Sequence, residues 1–344
     1  MLTDVVIRAI LTSYTGYGQI AEWLGRSLEW TGLRVHYEDY GAEEHLAPMR
    51  PWVAERLTDR LLPHPVIHLA TPDTPFDVTD HPAVFTMWES TGLPNPRLSI
   101  PYLNRARAVV VPCRWNAENF RTAGVKTPIH VCPLGVCPGE GYIPRPIAMD
   151  GPTRFGMAAR LNHGGVRKGF KEGIKAFLEA FPDPDEPVEL WVKIHEDDMP
   201  FLGPVDDIRI RLLTTTYSPP QMAAWWHKQT VAFVPSKGEG WGLHTLQAMA
   251  CGRPAIAAKY SGTAEFWDGR FGWELDYHEE PAGEFYKGAG DWCLPHHDSM
   301  VAALRMAHRD RRKCAELGMA AAQQAQGFDW ASTGRRLRAI LEAA

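Results

Sequence analysis

The sequence contains few cysteines, and none of them stands at a spacing that indicates a metal site or a disulfide framework. Its six cysteines are scattered over 344 residues, without a C-x-x-C pair or a zinc-finger pattern. Isolated cysteines of this kind are typical of buried, reduced thiols, which predicts a cytoplasmic protein. The first residues show no basic leader followed by a long apolar run, so we expect no signal peptide.

Long hydrophobic runs and an excess of one charge are also absent. No segment reaches the roughly 18 consecutive apolar residues of a membrane-spanning helix, so we expect no transmembrane segment. The net charge of −5 is spread evenly, with 13 Lys and Arg against 16 Asp and Glu in residues 1–150 and 23 against 25 in the remainder. This distribution argues against a dedicated surface for nucleic acid or for an anionic membrane.

The length and the apolar pattern predict two doubly wound α/β domains that face each other across a cleft. A chain of 344 residues exceeds what one core usually supports. Short apolar runs alternate with amphipathic segments, as in parallel βαβ units. The predicted strands are 5–11, 34–37, 66–69, 84–87, 108–112, 129–132, 154–158, 188–194, 208–213, 231–235 and 254–257. The predicted helices are 19–31, 52–62, 115–123, 169–181, 220–228, 243–250, 297–317 and 329–344. Residues 135–152 are rich in Gly and Pro and predict a linker between domains at 1–145 and 153–325.

The most informative segment is VAFVPSKGEGWGLHTLQAMACG, Val231–Gly252. It predicts a buried strand, a glycine-rich loop and a helix that begins at Leu243. Such a loop aims free backbone N–H groups and the positive end of the helix dipole at an anion. Because the same loop carries the carboxylate of Glu239, the pattern suits a ligand with both phosphate and hydroxyl groups, such as a nucleotide-sugar.

The segment from Pro235 to Pro254 also resembles the E-x7-E signature of family 4 of the glycosyltransferases (glycosyl transferases group 1), which have the GT-B fold. The resemblance assigns donor binding to Gly240, Gly242, Leu243, His244 and Gln247, and it makes Glu239 the first candidate catalytic residue. Two positions depart from the family. Gln247 replaces the second Glu, so it offers the ribose no charged acceptor. His244 replaces a frequent Pro, and it either contacts the donor sugar or caps the turn.

Two cations near the start of the second domain form the next candidate group. In FGMAARLNHGGVRKGF, Arg160 and Lys168 flank a loop at the carboxyl end of a strand, where they are suited to neutralise a diphosphate. Alternatively, these two cations are solvated side chains at the start of a helix and bind no diphosphate. The segment resembles the family's G-R-L…K-G pattern, which implies that both cations bind the donor pyrophosphate and stabilise the leaving diphosphate. Farther along, Thr216 and Tyr217 resemble the loop that holds the nucleobase.

The first domain contributes weaker candidates. SYTGYGQIAEWL contains Gly16 and Gly18 but lacks the third glycine of the dinucleotide fingerprint, which disfavours an NAD-dependent enzyme. We interpret it as a flexible loop in which these glycines approach a donor phosphate, with Tyr17 on the acceptor side. Trp88 and Glu89 end another strand, where Glu89 orients or deprotonates an acceptor hydroxyl and Trp88 stacks on a ring. Alternatively, Glu89 is an ordinary acid in a loop and Trp88 is a buried residue, and neither contacts an acceptor. The acceptor is thus expected against residues 14–18 and 86–90.

The resemblance implies a retaining, metal-independent glycosyltransferase that takes a nucleoside-diphosphate sugar, UDP-linked for example. The D-x-D-like runs 183–185 and 195–198 lack the surroundings of a metal site, so we expect no metal and no cofactor. The acceptor stays open between a glycan or lipid precursor, a small molecule, and DNA with a hydroxymethylated base, because FTMWEST is similar to a run in phage-type transferases. A nucleotide-sugar epimerase and a non-catalytic nucleotide-binding protein remain alternatives. The resemblance also implies that the final helix, 326–344, crosses back to the first domain.

Overall fold

The chain forms two compact units, which the computed structural model describes over residues 2–11, 16–39, 49–58, 64–77, 80–161, 165–283, 286 and 289–344. The first unit comprises Met1–Gly135, Ala282–Gly290 and Phe328–Ala344. The second comprises Val136–Pro281 and Asp291–Gly327. Two short segments from the second half of the chain therefore belong to the first unit.

A sheet of six parallel strands forms the centre of the first unit. All four residues of the strand Ala108–Val111 are buried, as expected for a parallel strand that is covered on both faces. The strands are β1 (Asp4–Ala9), β2 (Arg34–Asp39), β3 (Val66–Leu69), β4 (Ala83–Phe85), β5 (Ala108–Val111) and β6 (Ile129–Val131). Their helices are α1 (Gly16–Glu29), α2 (Pro51–Ala54), α3 (Pro96–Leu103) and α4 (Arg114–Thr122). The spatial order is β2-β1-β3-β4-β5-β6.

The second unit repeats this architecture with its own parallel sheet. Its strands are β7 (Thr153–Ala158), β8 (Val188–Lys193), β9 (Ile210–Leu213), β10 (Val231–Val234), β11 (Ala255–Ala257) and β12 (Gly272–Glu274), in the spatial order β12-β11-β10-β7-β8-β9. An antiparallel pair follows, β13 (Tyr277–Pro281) and β14 (Asp291–Pro295). The helices are α5 (Phe170–Ala180), α6 (Met199–Leu202), α7 (Pro219–His227), α8 (Leu243–Ala250), α9 (His297–Arg309) and α10 (Arg311–Ala325). The prediction of two doubly wound α/β domains is confirmed.

Each sheet has one point where the strand order reverses direction. In the first unit it lies between β1 and β3, and in the second between β7 and β10. The loops that follow two such strands run to opposite faces of the sheet and leave a crevice at its carboxyl edge, where open α/β sheets bind ligands. Arg160, Lys168 and Glu239 lie in these loops of the second unit, whereas Thr216 and Tyr217 follow β9.

One predicted helix is divided in the structure, and another is shorter than expected. The segment predicted as one helix over 297–317 is divided at Asp310, whose carboxylate accepts a hydrogen bond from the Lys313 N–H and caps α10. The predicted helix 52–62 is correct over 52–54 and wrong over 55–58, because α2 ends at Ala54 and Leu57 instead pairs with Tyr37 as a β-bridge. Residues 59–62 lie outside the described residues. Among those that are described, no helix is both long and apolar enough to span a bilayer.

The C-terminal helix α11 (Trp330–Ala343) packs against α1 in the first unit. The rings of Trp23 and Trp330 stack with their centroids 6.0 Å apart, and the Thr333 hydroxyl donates to the Pro133 carbonyl over 2.7 Å. Gly334 lies at the closest approach of the two helices, where a Cβ atom would overlap the carbonyl oxygen of Ser27. The packing of α11 therefore requires a residue without a side chain at this position.

Replacing Gly334 with Ala should destabilise the first unit. The new methyl group must displace the backbone of α1, an overpacking cost of about 1–3 kcal/mol, even though Ala favours helix. Thermal unfolding followed by circular dichroism measures the effect as a lower melting temperature. Gly16→Ala is the matched control, because Gly16 is helical and has open space around its Cβ position. Equal melting temperatures for both variants would contradict the packing described for Gly334.

Candidate functional site

The loop that follows β10 is held against the loop that follows β7. The N–H of Lys237 donates to the Arg167 carbonyl over 2.7 Å. Gly169 has a φ of 64°, and a Cβ atom there would overlap the carbonyl oxygen of Pro235. Both the left-handed backbone and the close approach require glycine at this position. Residues 70 and 66 positions apart in the sequence are thereby brought side by side.

Glu239 and Lys168 form an ion pair at this junction. The Lys168 Nζ atom donates to both carboxylate oxygens of Glu239, over 2.6 and 2.8 Å, and the Ser236 hydroxyl donates to Oε1 over 2.7 Å. The Glu239 backbone is also held, since its N–H donates to the Ser261 hydroxyl over 2.9 Å and its carbonyl accepts from the Gly262 N–H over 2.8 Å. The side chains of Glu239 and Lys168 are 17% and 16% exposed, so water reaches the pair from one side only.

The electrostatic surroundings keep Glu239 ionised. Burial raises the pKa of this carboxyl group, but the charges of Lys168 and Arg167 and the hydrogen bonds from Lys168 and Ser236 outweigh burial and lower the pKa to about 2. Two side-chain cations and a hydroxyl are thus the groups that keep this carboxylate ionised.

Arg167 is a member of this cluster that the sequence analysis did not single out. Its Nη1 atom donates to the Gly238 carbonyl over 2.6 Å and lies 3.5 Å from a carboxylate oxygen of Glu239. Arg167 thus supports both the backbone and the charge of the acidic loop. The only signal in the sequence was the pair of adjacent basic residues in V-R-K-G.

Arg160 lies at the carboxyl end of β7, beside the segment that follows β8. Its guanidinium atoms are 3.6 Å from Asp198 and 3.9 Å from Asp197. Asp198 in turn accepts the His195 N–H over 3.1 Å in a capping arrangement. We expected no metal site at the run 195–198, and its two aspartates lie beside a cation of the candidate site, Arg160.

Lys193, the last residue of β8, is a second cation that the sequence analysis missed. Its ammonium group lies 4.9 Å from the centre of the Tyr217 ring and donates to the Ile194 carbonyl over 2.8 Å. Burial and the neighbouring Arg160 charge lower the pKa of Lys193 to about 8, and Asp198 opposes this only in part. Tyr217 is half-buried and its neighbour Thr216 is exposed. A flat ring and two cations thus lie together at the carboxyl edge of the sheet.

The first turn of α8 contains the remaining donor candidates of the second unit. Gly242 precedes the helix with a φ of 93°, and a Cβ atom there would lie 2.7 Å from the Thr263 hydroxyl oxygen. Gly240 is buried, and Leu243 opens the helix half-buried. The His244 Nδ1 atom lies 3.1 Å from Oε1 of Gln247, which is buried. Burial and the Lys168 charge lower the pKa of His244 more than this hydrogen bond raises it, so the ring is neutral at physiological pH.

The glycines of the first unit do not form the flexible loop that the sequence suggested. Gly16, Tyr17 and Gly18 are the first three residues of α1, which begins three residues before the predicted start. Gly16 is exposed, Tyr17 is half-buried and Gly18 is buried. A helix start at the strand crossover explains the difference, because it places the first turn at the carboxyl edge of the sheet. Residues 14 and 15 of the predicted acceptor segment lie outside the described residues.

Trp88 and Glu89 are held together with a residue from the inserted loop Ala282–Gly290 of the same unit. The Trp88 N–H donates to the side chain of Asn116 over 2.7 Å, and its ring lies edge-on to Tyr286 with centroids 4.9 Å apart. The Tyr286 hydroxyl donates to Glu89 over 3.3 Å. Sequence reasoning missed Tyr286, since 197 residues separate it from Glu89 and no motif surrounds it.

Comparison with known proteins shows which family a part of this chain resembles. The sequence model of the family described as "Glycosyl transferases group 1" matches residues 154–283, a range that contains every candidate residue of that unit. A protein named D-inositol 3-phosphate glycosyltransferase from Arthrobacter sp. (strain FB24) is 34% identical over 115 residues, which are 33% of this chain and 23% of the relative. The chain thus spans about a quarter of the length of this relative. The predicted resemblance to glycosyltransferases is confirmed.

Comparison with solved structures identifies the fold of the whole chain. Sucrose-phosphate synthase from Thermosynechococcus elongatus superposes with a TM-score of 0.70 at 14% identity, covering 99% of this chain and 100% of that one. The Anabaena protein Alr3699/HepE, in complex with UDP and glucose, gives a TM-score of 0.66 at 14% identity, with 99% and 100% coverage. These similarities concern the fold alone, and they confirm the predicted GT-B fold.

The pair of Lys168 and Glu239 should be energetically coupled. Replacing either residue, as Lys168→Met or Glu239→Gln, removes charge-assisted hydrogen bonds worth about 1.5–3 kcal/mol. The double variant removes both charges of the pair together, so neither partner remains without the other, and we expect a coupling free energy of about 0.5–3 kcal/mol in urea unfolding. Because the pKa of Glu239 is lowered in the folded protein, this coupling should persist above pH 5 and fade as the pH falls towards 2.

A control cycle on Lys313 and Glu316 distinguishes this pair from an ordinary surface ion pair. These side chains lie 3.3 Å apart on α10 of the same unit and are 51% and 69% exposed. Their coupling should be no more than about 0.5 kcal/mol. Additive effects of the Lys168 and Glu239 substitutions would contradict the assigned coupling.

Proposed function

We propose that this protein is a retaining glycosyltransferase that moves a sugar from a nucleoside-diphosphate sugar to an acceptor hydroxyl without a metal ion. The observation that carries this proposal is the pairing of Glu239 with Lys168 at the strand crossover of the second unit. The pair lies within the range that matches the glycosyltransferase family. A diphosphate requires cations and a sugar hydroxyl requires an acceptor, and this cluster supplies both.

The cations of the second unit are the proposed diphosphate site. Arg160, Lys168 and Lys193 lie at the carboxyl edge of one sheet, and Arg167 contacts the acidic loop beside Lys168. As the bond to the sugar breaks, negative charge develops on the leaving diphosphate. Fixed cations in a partly buried site stabilise this charge without further reorganisation. Side chains thus supply the charge that a metal ion provides in metal-dependent transferases.

Glu239 is the proposed positioning group for the donor sugar. Both of its oxygens accept hydrogen bonds from Lys168, which makes this carboxylate a poor nucleophile. We therefore assign a reaction on one face of the sugar. The bond from the anomeric carbon to the diphosphate oxygen breaks, the bond to the acceptor oxygen forms on the same face, and the acceptor proton passes to the leaving diphosphate. Glu239 holds a sugar hydroxyl in place during this step.

The nucleoside is proposed to lie along Tyr217 and α8. The Tyr217 ring provides a stacking surface for a base, and Thr216 is exposed beside it. Gln247, with His244 bound to its amide, is the proposed ribose partner. UDP is the first nucleotide to test, because the structural neighbour Alr3699/HepE was solved with UDP and glucose.

The acceptor is proposed to bind in the first unit near Trp88, Glu89 and Tyr286. Aromatic edges beside a carboxylate suit a hydroxyl-rich molecule, which offers C–H faces to the rings and a hydroxyl to the acid. The curated relative is named a D-inositol 3-phosphate glycosyltransferase, so an inositol phosphate is the first acceptor to test. Glycan and lipid precursors, other small molecules and hydroxymethylated DNA complete the panel.

The state of the cysteines supports a cytoplasmic location, which we also propose. All six are free, and five of them are buried. Burial raises the pKa of Cys132, Cys251, Cys293 and Cys314 to about 12, so these thiols stay protonated and unreactive.

Mass spectrometry of reaction products tests the proposed function. UDP-, GDP-, ADP- and TDP-sugars are each incubated with the acceptor panel. A glycosylated acceptor that retains the anomeric configuration of the donor supports the proposal. A new nucleotide-sugar or free nucleotide without glycosylated product would favour the epimerase alternative, and nucleotide binding without turnover would favour a binding protein.

Replacing Glu239 with Gln should reduce turnover by about tenfold or more, on the scale of one lost positioned contact. Nucleoside-diphosphate affinity should stay near wild type or increase, because Lys168 no longer shares its hydrogen bonds with a carboxylate. Calorimetry and initial rates measure the two effects. Glu179→Gln, on the exposed side of α5, is the control and should leave both unchanged. An equal loss of nucleotide and sugar-nucleotide binding in Glu239→Gln would show that Glu239 has only a structural role in its loop.

Nucleotide affinity should decrease above pH 8 in wild type. The pKa of Lys193 is about 8 in the free protein, so at higher pH this side chain must take up a proton to bind a diphosphate. The affinity then falls by up to about tenfold per pH unit. In Lys193→Arg the guanidinium stays charged throughout this range, so the decrease should disappear. The same decrease in both proteins would show that Lys193 does not contact the diphosphate.

A further inference from the structure

Three side chains that could ligate a metal converge at the amino edge of the first sheet. They are Asp4 at the start of β1, His36 in β2 and His64 just before β3. Within the described part of the chain, this is the one group of three His, Cys, Asp or Glu side chains whose ligand atoms all lie within 4.8 Å of one another. Asp4 is buried, and the two histidine side chains are 31% exposed, so solvent reaches the cluster from one side.

The register of the sheet explains this convergence. Asp4 pairs with Arg34, and Val6 pairs with both His36 and Val66 on its two sides. Side chains two residues apart share a face of a sheet. Asp4, His36 and a residue two positions before Val66, which is His64, therefore stand on the same face of three adjacent strands. Asp4 and His36 are thus positioned by the backbone of strands rather than by a loop.

The distances are close to those that a bound metal ion imposes. The Nε2 atoms of His36 and His64 lie 3.3 and 4.0 Å from the same oxygen of Asp4, and the two rings stack with centroids 5.7 Å apart. Zinc–nitrogen and zinc–oxygen bonds of about 2.0–2.1 Å separate the ligand atoms of a tetrahedral site by about 3.3 Å. His36 lies at this separation from Asp4, and His64 exceeds it by less than one ångström.

We propose that Asp4, His36 and His64 bind a divalent transition metal ion of the zinc class, with water in the fourth position. Two imidazoles and one carboxylate are ligands that suit zinc, cobalt and nickel. The site lies at the amino ends of the strands, away from the carboxyl edge that holds the candidate residues of the same unit. A metal there links β1, β2 and the segment before β3, and it acts on stability rather than on sugar transfer.

Arg34 competes for the carboxylate but does not block it. Its guanidinium lies 2.9 Å from Oδ1 and 3.0 Å from Oδ2 of Asp4, yet its side chain is 78% exposed, so the ion pair is screened by solvent. A metal on Oδ1 leaves Oδ2 for Arg34, so the ion pair and the metal can share the carboxylate.

Titration of metal-stripped protein with zinc chloride tests this site. Calorimetry should detect one zinc ion per chain, zinc should raise the melting temperature, and cobalt(II) should give the visible absorption of a tetrahedral complex. His36→Asn and His64→Asn should each weaken zinc binding by at least about tenfold. Arg34→Gln should keep or tighten binding, which tests the site in a variant whose three ligands are intact.

His278→Asn is the matched control. His278 and His296 also lie side by side, with ring nitrogens 3.0 Å apart, but they stand in the second unit. Zinc affinity that is unchanged in His278→Asn and reduced in both ligand variants supports the proposal. Absence of zinc binding by wild type, or equal binding by wild type, His36→Asn and His64→Asn, would overturn it. These readouts do not involve sugar transfer, so they are independent of the proposed function.

Discussion

The ion pair between Lys168 and Glu239 is the interaction on which the candidate site depends. It joins the loops after β7 and β10, the two adjacent strands at which the order of the second sheet reverses. A carboxylate with 17% exposure needs a cation nearby, and Lys168 supplies it with support from Arg167. The contact is possible because Gly169 lets the backbone of one loop touch Pro235 of the other. The ion pair, the support from Arg167 and the close backbone contact at Gly169 therefore depend on one another.

The same pair gives the proposed donor site a defined starting state. Without ligand, Glu239 holds the Lys168 ammonium in the crevice, where a donor diphosphate would meet it with little loss of side-chain entropy. When phosphate oxygens take over part of the ammonium's hydrogen bonding, the carboxylate gains capacity to accept a sugar hydroxyl. In the proposed mechanism, diphosphate binding and sugar positioning are thus linked through one lysine. Arg160 and Lys193, each beside its own partner, add charge from the neighbouring strand ends.

The sequence predicted the architecture and the local motifs, but not the contacts between distant segments. Strand alternation identified both sheets, and Glu239, Arg160 and Lys168 stood out because each lies in a glycine-containing loop after an apolar run. Lys193 did not stand out, because nothing in the sequence distinguishes it from any other residue at the end of a strand. Tyr286 did not stand out, because only an inserted loop brings it into contact with Glu89. The helix start at Gly16 was missed because glycine is a poor helix former, and tertiary packing overrides that propensity. Asp4, His36 and His64 also escaped notice, because they come together only through the sheet register. Residues this far apart in the sequence form no local motif.

The most direct test of the central claim is a crystal structure of the protein with a bound nucleoside-diphosphate sugar. The account predicts diphosphate oxygens within hydrogen-bonding distance of Lys168 Nζ and of the Arg160 guanidinium, and a sugar hydroxyl donating to the Glu239 carboxylate. The acidic loop should keep its backbone contacts to Ser261 and Gly262. A donor bound elsewhere on the chain, or a donor sugar that does not contact Glu239, would contradict the account.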